Sequence, residues 1–179
     1  MKLDLKLMKR CDSLELLYPP FRERLERLIT AAHAQSLMAY PFETWRSPAL
    51  QESYFAKGRT QPGRIITRAD AWMSNHQYGV AADLVFDGSE KPGIQWDWSG
   101  DYIGEKIGDY ERLGALGMQY GLVWYGAVGS PFHEKPHFQW PSPLRPRDML
   151  RLYKEGGIER VWLELDRYNS IALTTKESL

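Results

Sequence analysis

The 179-residue chain has a single cysteine, Cys11, so no internal disulfide can form and folding does not depend on an oxidising compartment. Cys11 sits in a charged stretch, Lys9-Arg10-Cys11-Asp12, and reads as an incidental thiol rather than a nucleophile. Neither sign of charge is in excess, with 23 Lys and Arg against 23 Asp and Glu. That balance excludes a broad electrostatic grip on nucleic acid or anionic lipid. No stretch approaches the ~20 apolar residues of a membrane span, so no membrane insertion is expected. The first ten residues alternate Leu with Lys and Asp and lack the apolar run of a secretory signal. The expectation is a chain made in the cytoplasm without a signal peptide, acting elsewhere only after release.

What the chain does have is a core. Hydrophobic residues make up 43% of it, enough to bury one ordinary domain without staples. Phe21, Leu25, Leu28, Ile29 and Ala32 recur at helical spacing behind Pro19-Pro20, which predicts a helix over about 20–37. A short strand is predicted over 38–45, with Pro41 marking an edge or a bend. Ser47-Pro48 opens a second helix to about residue 56, Lys57–Gly63 is a loop, and Arg64–Thr67 a brief extended piece. Val80, Leu84, Val85 and Phe86 predict a strand over 79–86, and residues 87–100 a long loop. A third helix is predicted over 102–120, ended by Gly121. Short strands follow at 122–125 and 137–140, then two helical pieces, about 147–155 and 157–168, split by Gly156-Gly157. Local helices mixed with short strands give an α+β fold rather than a doubly wound parallel sheet.

Only four histidines are present: His33, His76, His133 and His137. Two segments join histidine to carboxylate. In the first, His76 precedes a Gly turn and Asp83 lies on the strand beyond it. Small residues at 79, 81 and 82 would let the backbone pass close to a metal. In the second, Glu134 stands three residues before His137 at the mouth of a strand, and Pro136 excludes the helical His-Glu-x-x-His arrangement. Strand alternation puts His137 and Gln139 on one face, Phe138 and Trp140 on the other. Each half alone reads equally as a polar loop histidine with a capping aspartate, or as a surface His–Glu pair.

Taken together, Ser74-x-His76-x-x-Gly79-x-Ala81-x-Asp83 followed by Glu134-x-x-His137 resembles the zinc D-alanyl-D-alanine peptidase family. Upstream, Trp45-Arg46-Ser47 with Gln51, and Tyr54-Phe55-Ala56-Lys57-Gly58-Arg59-Thr60-x-Pro62-Gly63, are similar to its L-alanyl-D-glutamate endopeptidase, phage endolysin-like branch. The resemblance spans about residues 20–142. It implies a Hedgehog/D,D-peptidase-like fold, a small antiparallel sheet flanked by helices. The expected peptidase domain is 1–142, with 143–179 a C-terminal helical extension packed on it, beyond the reach of the resemblance. The resemblance implies one zinc ion held by His76, Asp83 and His137, Glu134 as general base, Arg46 as oxyanion or carbonyl stabiliser, and Ser74 and Gln51 on the substrate side. His133 is a rival ligand to His137, disfavoured because the family places its ligand after Glu-x-x. Asp70, Asp87, Asp97 and Asp101 are loop carboxylates open to a second ion.

Two departures stand out: Pro136 where the dipeptidase branch has Trp, and Gln139 where many relatives carry Glu. Neither removes a ligand or the base. The implied activity is hydrolysis of peptidoglycan stem peptides by a monomer acting at the bacterial cell wall. The expected bond is L-alanyl-D-glutamate. The alternatives are a D,D- or L,D-carboxypeptidase, and a non-catalytic zinc-containing wall-binding module, against which Glu134 and Arg46 both speak. The C-terminal basic residues Arg145, Arg147, Arg151, Lys154 and Arg160 read as a solvated helical face.

Overall fold

Proline opens the first two helices, where its missing N–H costs nothing. The structure, a computed structural model, describes residues 9–86, 107–127, 129 and 134–176. In chain order the elements are α1 (Pro19–Ala34), β1 (Ala39–Glu43), α2 (Pro48–Ala56), β2 (Ala81–Phe86), α3 (Ile107–Gln119), β3 (Val123–Trp124), β4 (His137–Gln139) and α4 (Pro146–Lys176). Two 3-10 turns, Leu14–Leu16 and Asn75–Tyr78, complete them. The α+β expectation holds. The long loop expected over 87–100 and the start of the third helix lie outside the described residues. Arg64–Thr67 joins no ladder; Thr67 is instead tied into a loop, its carbonyl accepting from Arg59 and its hydroxyl from the Ala69 N–H.

The chain divides into two compact units. One comprises Cys11–Trp45 and Gly79–Pro141. Its sheet has the order β1-β2-β4-β3, every pair antiparallel. Pro41 sits on edge strand β1, where a missing ladder donor is tolerated. β2 is central and almost wholly buried. Phe21, Leu25, Leu28 and Ala32, one stripe of α1, are completely buried, as are Leu84, Leu113 and Phe138. Each large side chain so buried contributes about 1.5–3 kcal/mol before entropy is counted.

Glycine decides two close approaches in this unit. Gly79 has φ +68°, and a Cβ there would fall 2.5 Å from the Leu16 carbonyl oxygen. From sequence it was expected to make room for a metal; in the structure the crowding comes from Leu16–Tyr18, whose Tyr18 N–H donates to the Gly79 carbonyl at 2.8 Å. On α3, a Cβ on Gly114 would collide with the Trp124 ring, and a Cβ on Gly126 would collide with the same indole. Trp124 is thus wedged between two glycines, with its Nε1–H donating to the Lys135 carbonyl at 2.7 Å.

The other unit holds Arg46–Tyr78, the residues from Ser142 onward and the short stretch up to Arg10. Ser47 caps α2, its hydroxyl accepting the Leu50 N–H at 3.1 Å, and Pro48 follows at the first turn. α4 is interrupted, as expected, at Gly156 and Gly157, the latter at φ +72°. Tyr153 and Trp162 of α4 grip the Asn75–Tyr78 turn. The Tyr153 ring packs 4.5 Å from Trp72, and the Trp162 Nε1–H donates to the Tyr78 carbonyl at 2.9 Å. The Tyr78 hydroxyl closes the loop by donating to the Trp72 carbonyl at 2.8 Å. Trp72 sits at φ +71°, a conformation a bulky residue adopts only when its surroundings demand it.

The wedge around Trp124 sets a test. Gly114→Ala is expected to lower stability by about 1–3 kcal/mol in denaturant titration, the usual cost of overpacking. Gly108→Ala, on the same helix with nothing within 4 Å, is expected to cost nothing.

Candidate metal centre

Asp83 and His137 face each other across the β2–β4 ladder, in the register Asp83↔His137. Direct partners in an antiparallel pair point to the same side of the sheet. Their side chains meet accordingly, His137 Nδ1 lying 3.1 Å from Asp83 Oδ1. Glu134 arrives by a different route. The His137 N–H donates to the Glu134 carbonyl at 3.1 Å, closing a tight turn through Lys135 and Pro136. That turn is why the Glu-x-x-His spacing works without a helix. It brings Glu134 Oε2 to 3.8 Å from the same Nδ1. His137 and Asp83 are nearly buried, at 7% and 9% exposure, while the Glu134 side chain keeps 32%.

The far nitrogen of the ring has its own partner. His137 Nε2 lies 3.4 Å from Gln139 Oε1, two residues on and on the same strand face. Tyr125 stacks on the imidazole, ring centroids 4.8 Å apart and planes 28° from parallel. Burial pushes the His137 pKa down, but the hydrogen bond and charge of Asp83, the Glu134 charge and the Gln139 bond outweigh it and hold the imidazole above its ordinary value. Burial pushes the Tyr125 phenol up; a Gln139 hydrogen bond opposes this and the Glu134 charge adds to it.

The other unit gathers four of the sequence-predicted residues. His76 is buried, at 2% exposure, on the 3-10 turn. Its carbonyl accepts the Arg46 N–H at 3.2 Å. Ser74 opens that turn, its carbonyl accepting the Gln77 N–H and its N–H donating to Gln77 Oε1, both at 3.2 Å. Arg46 Nη1 donates to Gln51 Oε1 at 2.9 Å, and its guanidinium lies 5.1 Å from the Tyr54 ring centre. Gln51 is fully buried, and its amide donates to the Ala69 carbonyl at 2.6 Å and to Thr67 Oγ1 at 3.4 Å. It therefore touches Arg46 and the loop behind it. Each unit thus carries its own share of the predicted set: Arg46, Gln51, Ser74 and His76 in one, Asp83, Glu134 and His137 in the other.

His133, Asp87, Asp97 and Asp101 lie outside the described residues. His33 Nε2–H donates to the Ala39 carbonyl at 2.8 Å, a structural contact. Tyr125, Gln139, Trp124 and Trp162 were not among the expected site residues. Strand alternation had already put Gln139 on the face of His137, and that signal was available. No sequence period marks Tyr125 or Trp162, because their contacts depend on tertiary placement.

No protein-family profile matches the chain. Among curated proteins, the peptidoglycan L-alanyl-D-glutamate endopeptidase CwlK of Bacillus subtilis (strain 168) is 30% identical over 128 residues, covering 69% of this chain and 72% of CwlK. Among solved structures, the LdcB LD-carboxypeptidase matches with a TM-score of 0.49 and 16% identity, over 82% of this chain and 67% of that one. The Serratia marcescens L-Ala D-Glu endopeptidase ChiX matches with a TM-score of 0.43 and 22% identity, over 78% and 95%. On the extent and identity of the CwlK match, the chain belongs to the zinc D-alanyl-D-alanine peptidase family, as a peptidoglycan-hydrolysing peptidase.

Proposed function

We propose that the chain is a zinc-dependent L-alanyl-D-glutamate endopeptidase of peptidoglycan stem peptides, with His76, Asp83 and His137 as ligands of one ion. The observation that carries this reading is the buried imidazole of His137 with two carboxylates, Asp83 and Glu134, converging on one nitrogen. Two imidazoles and one carboxylate form a donor set suited to catalytic zinc, which takes three protein ligands and keeps one position open. The raised His137 pKa fits as well, since surroundings that stabilise imidazolium also stabilise a metal cation.

Bound there, zinc would lower the pKa of a coordinated water towards about 7 and polarise the scissile carbonyl. Glu134, with a third of its side chain exposed, takes a proton from the attacking water and returns it to the leaving amine. Arg46 offers a permanent charge to the carbonyl oxygen of the substrate. Gln51 holds the Arg46 guanidinium from behind, which restricts its rotamers and keeps that charge aimed. Ser74 sets the turn that presents His76. The endopeptidase reading is favoured over a carboxypeptidase by the CwlK match and by the Tyr54–Gly63 segment. The protein acts as a monomer at the bacterial cell wall.

Metal analysis and wall digestion test the assignments. His76→Ala is expected to lose zinc. Glu134→Ala is expected to keep one zinc per chain while kcat on purified walls falls by about 10²–10⁴-fold. Full activity on walls after chelation and dialysis would sink the zinc reading. Gln51→Leu is expected to leave zinc content unchanged and to lower kcat through Arg46. Mass spectrometry of the released muropeptides reads the bond: a peptide with a free N-terminal D-Glu is expected, and loss of a terminal D-Ala instead would mark a carboxypeptidase.

A further inference from the structure

We propose that Gln139 and Tyr125 are positioning residues that hold the His137 ring in one orientation and one tautomer, with the proton on Nε2 and Nδ1 turned to the carboxylates. The inference rests on the reading of His137 as a metal ligand and goes beyond it, because neither residue belongs to the ligand or base set.

Strand geometry supplies the arrangement. β3 and β4 pair with Val123↔Gln139 and Trp124↔Phe138, and the ladder runs one step further, the Tyr125 N–H donating to the His137 carbonyl at 3.1 Å. Tyr125 is therefore the cross-strand neighbour of His137 on one side, as Asp83 is on the other. A tyrosine opposite a histidine lays its ring on the imidazole face, which is the stacked contact seen. Gln139, two residues along β4, reaches back along the same face to Nε2.

The amide of Gln139 has two ends with opposite roles: a carbonyl that only accepts and an NH2 that only donates. Nε2 faces the carbonyl end. The Tyr125 hydroxyl shares a hydrogen bond with the same side chain and takes the donating end. Tyr125 thereby fixes the sense of the amide, and the amide fixes the proton on the ring. A metal-bound imidazole must give up the proton of its ligating nitrogen and keep the other, and the group that accepts the remaining N–H commonly sets metal affinity. Glutamine does this without adding charge to a pocket that already holds Asp83 and Glu134.

Zinc affinity measured by chelator competition tests this, with the thermal midpoint of each zinc-depleted variant as a second readout. Gln139→Leu is expected to weaken zinc binding by about 10–100-fold, the usual effect of losing such a partner. Gln139→Glu keeps an acceptor at Nε2 and is expected to rescue wild-type affinity or better. Tyr125→Phe keeps the stack, loses the hydroxyl and is expected to fall between. In nitrogen NMR of the zinc-loaded protein, the His137 Nε2–H should exchange slowly in wild type and rapidly in Gln139→Leu. Unchanged affinity in Gln139→Leu, or an equal loss in Gln139→Glu, overturns the proposal. If Gln139→Leu does not fold, the Gln139→Glu and Tyr125→Phe affinities and the wild-type exchange rate still decide. His137→Ala separates the two readings: zinc retained by that variant overturns the ligand assignment itself, whereas zinc lost there but held normally by Gln139→Leu overturns only the positioning role.

Discussion

The β2–β4 register is the constraint on which the proposed metal site depends. Asp83 opposes His137 only in this pairing. A slip of one residue would set Leu84 or Phe138 in the row and turn every side chain to the other face. The residues that forbid the slip are apolar. Phe138 is completely buried, pairs with Ala82 and lies where Gly117 of α3 has no Cβ to block it. Trp140 meets the edge of Tyr18 at 5.3 Å and carries the Arg24 guanidinium 4.2 Å above its ring. The Trp140 N–H donates to the Val80 carbonyl and the Leu84 N–H to the Pro136 carbonyl, both at 2.9 Å, so β2 and β4 are tied beyond both ends of their paired residues. One face of the sheet is packed for the sake of what stands on the other.

That other face opposes folding on its own terms. Burying an imidazole and a carboxylate removes two polar groups from water, and an uncompensated buried charge costs several kcal/mol. The compensation is mutual, through the 3.1 Å contact and the neighbouring Glu134. The direction of the His137 shift shows which term wins: despite burial, the protonated ring is favoured. The surroundings therefore want a positive charge at that nitrogen. A proton meets the demand at low pH, and the proposed divalent cation would meet it from the side of both carboxylates.

Much of this was legible in the chain. Pro19, Ser47-Pro48 and Gly121 marked helix ends through their own backbone chemistry, and α1, α2 and the end of α3 fall where those residues put them. Gly156-Gly157 predicted the break in α4 for the same reason. The family was visible in the motifs that carry the resemblance, and alternation along β4 correctly parted His137 from Phe138. What could not be read depends on tertiary contact. Gly79 was assigned to the metal, but its neighbour is Leu16, more than sixty residues earlier in the chain. Arg64–Thr67 was expected to be a brief extended piece, yet among the described residues it joins no ladder and hydrogen-bonds through a loop instead. The grip of Trp162 on the Tyr78 carbonyl joins residues that no local period relates.

The proposed base, Glu134, shows how core packing reaches the proposed site. Glu134 is partly exposed, and an exposed side chain on a loose turn would sample many positions. Its backbone is held at two successive carbonyls. The His137 N–H closes the turn onto the Glu134 carbonyl, and the Trp124 indole holds the next carbonyl, that of Lys135. Lys135 is fastened again by its 2.7 Å ion pair to Glu111 on α3. Trp124 itself is immobilised between Gly114 and Gly126. A substitution on the buried side of α3, such as one at Gly114, would therefore shift the turn that carries the proposed base without touching the proposed site. The Glu134 carboxylate keeps its freedom at the tip, where the proposed base would exchange a proton, and loses it at the root, where freedom would cost a base its rate.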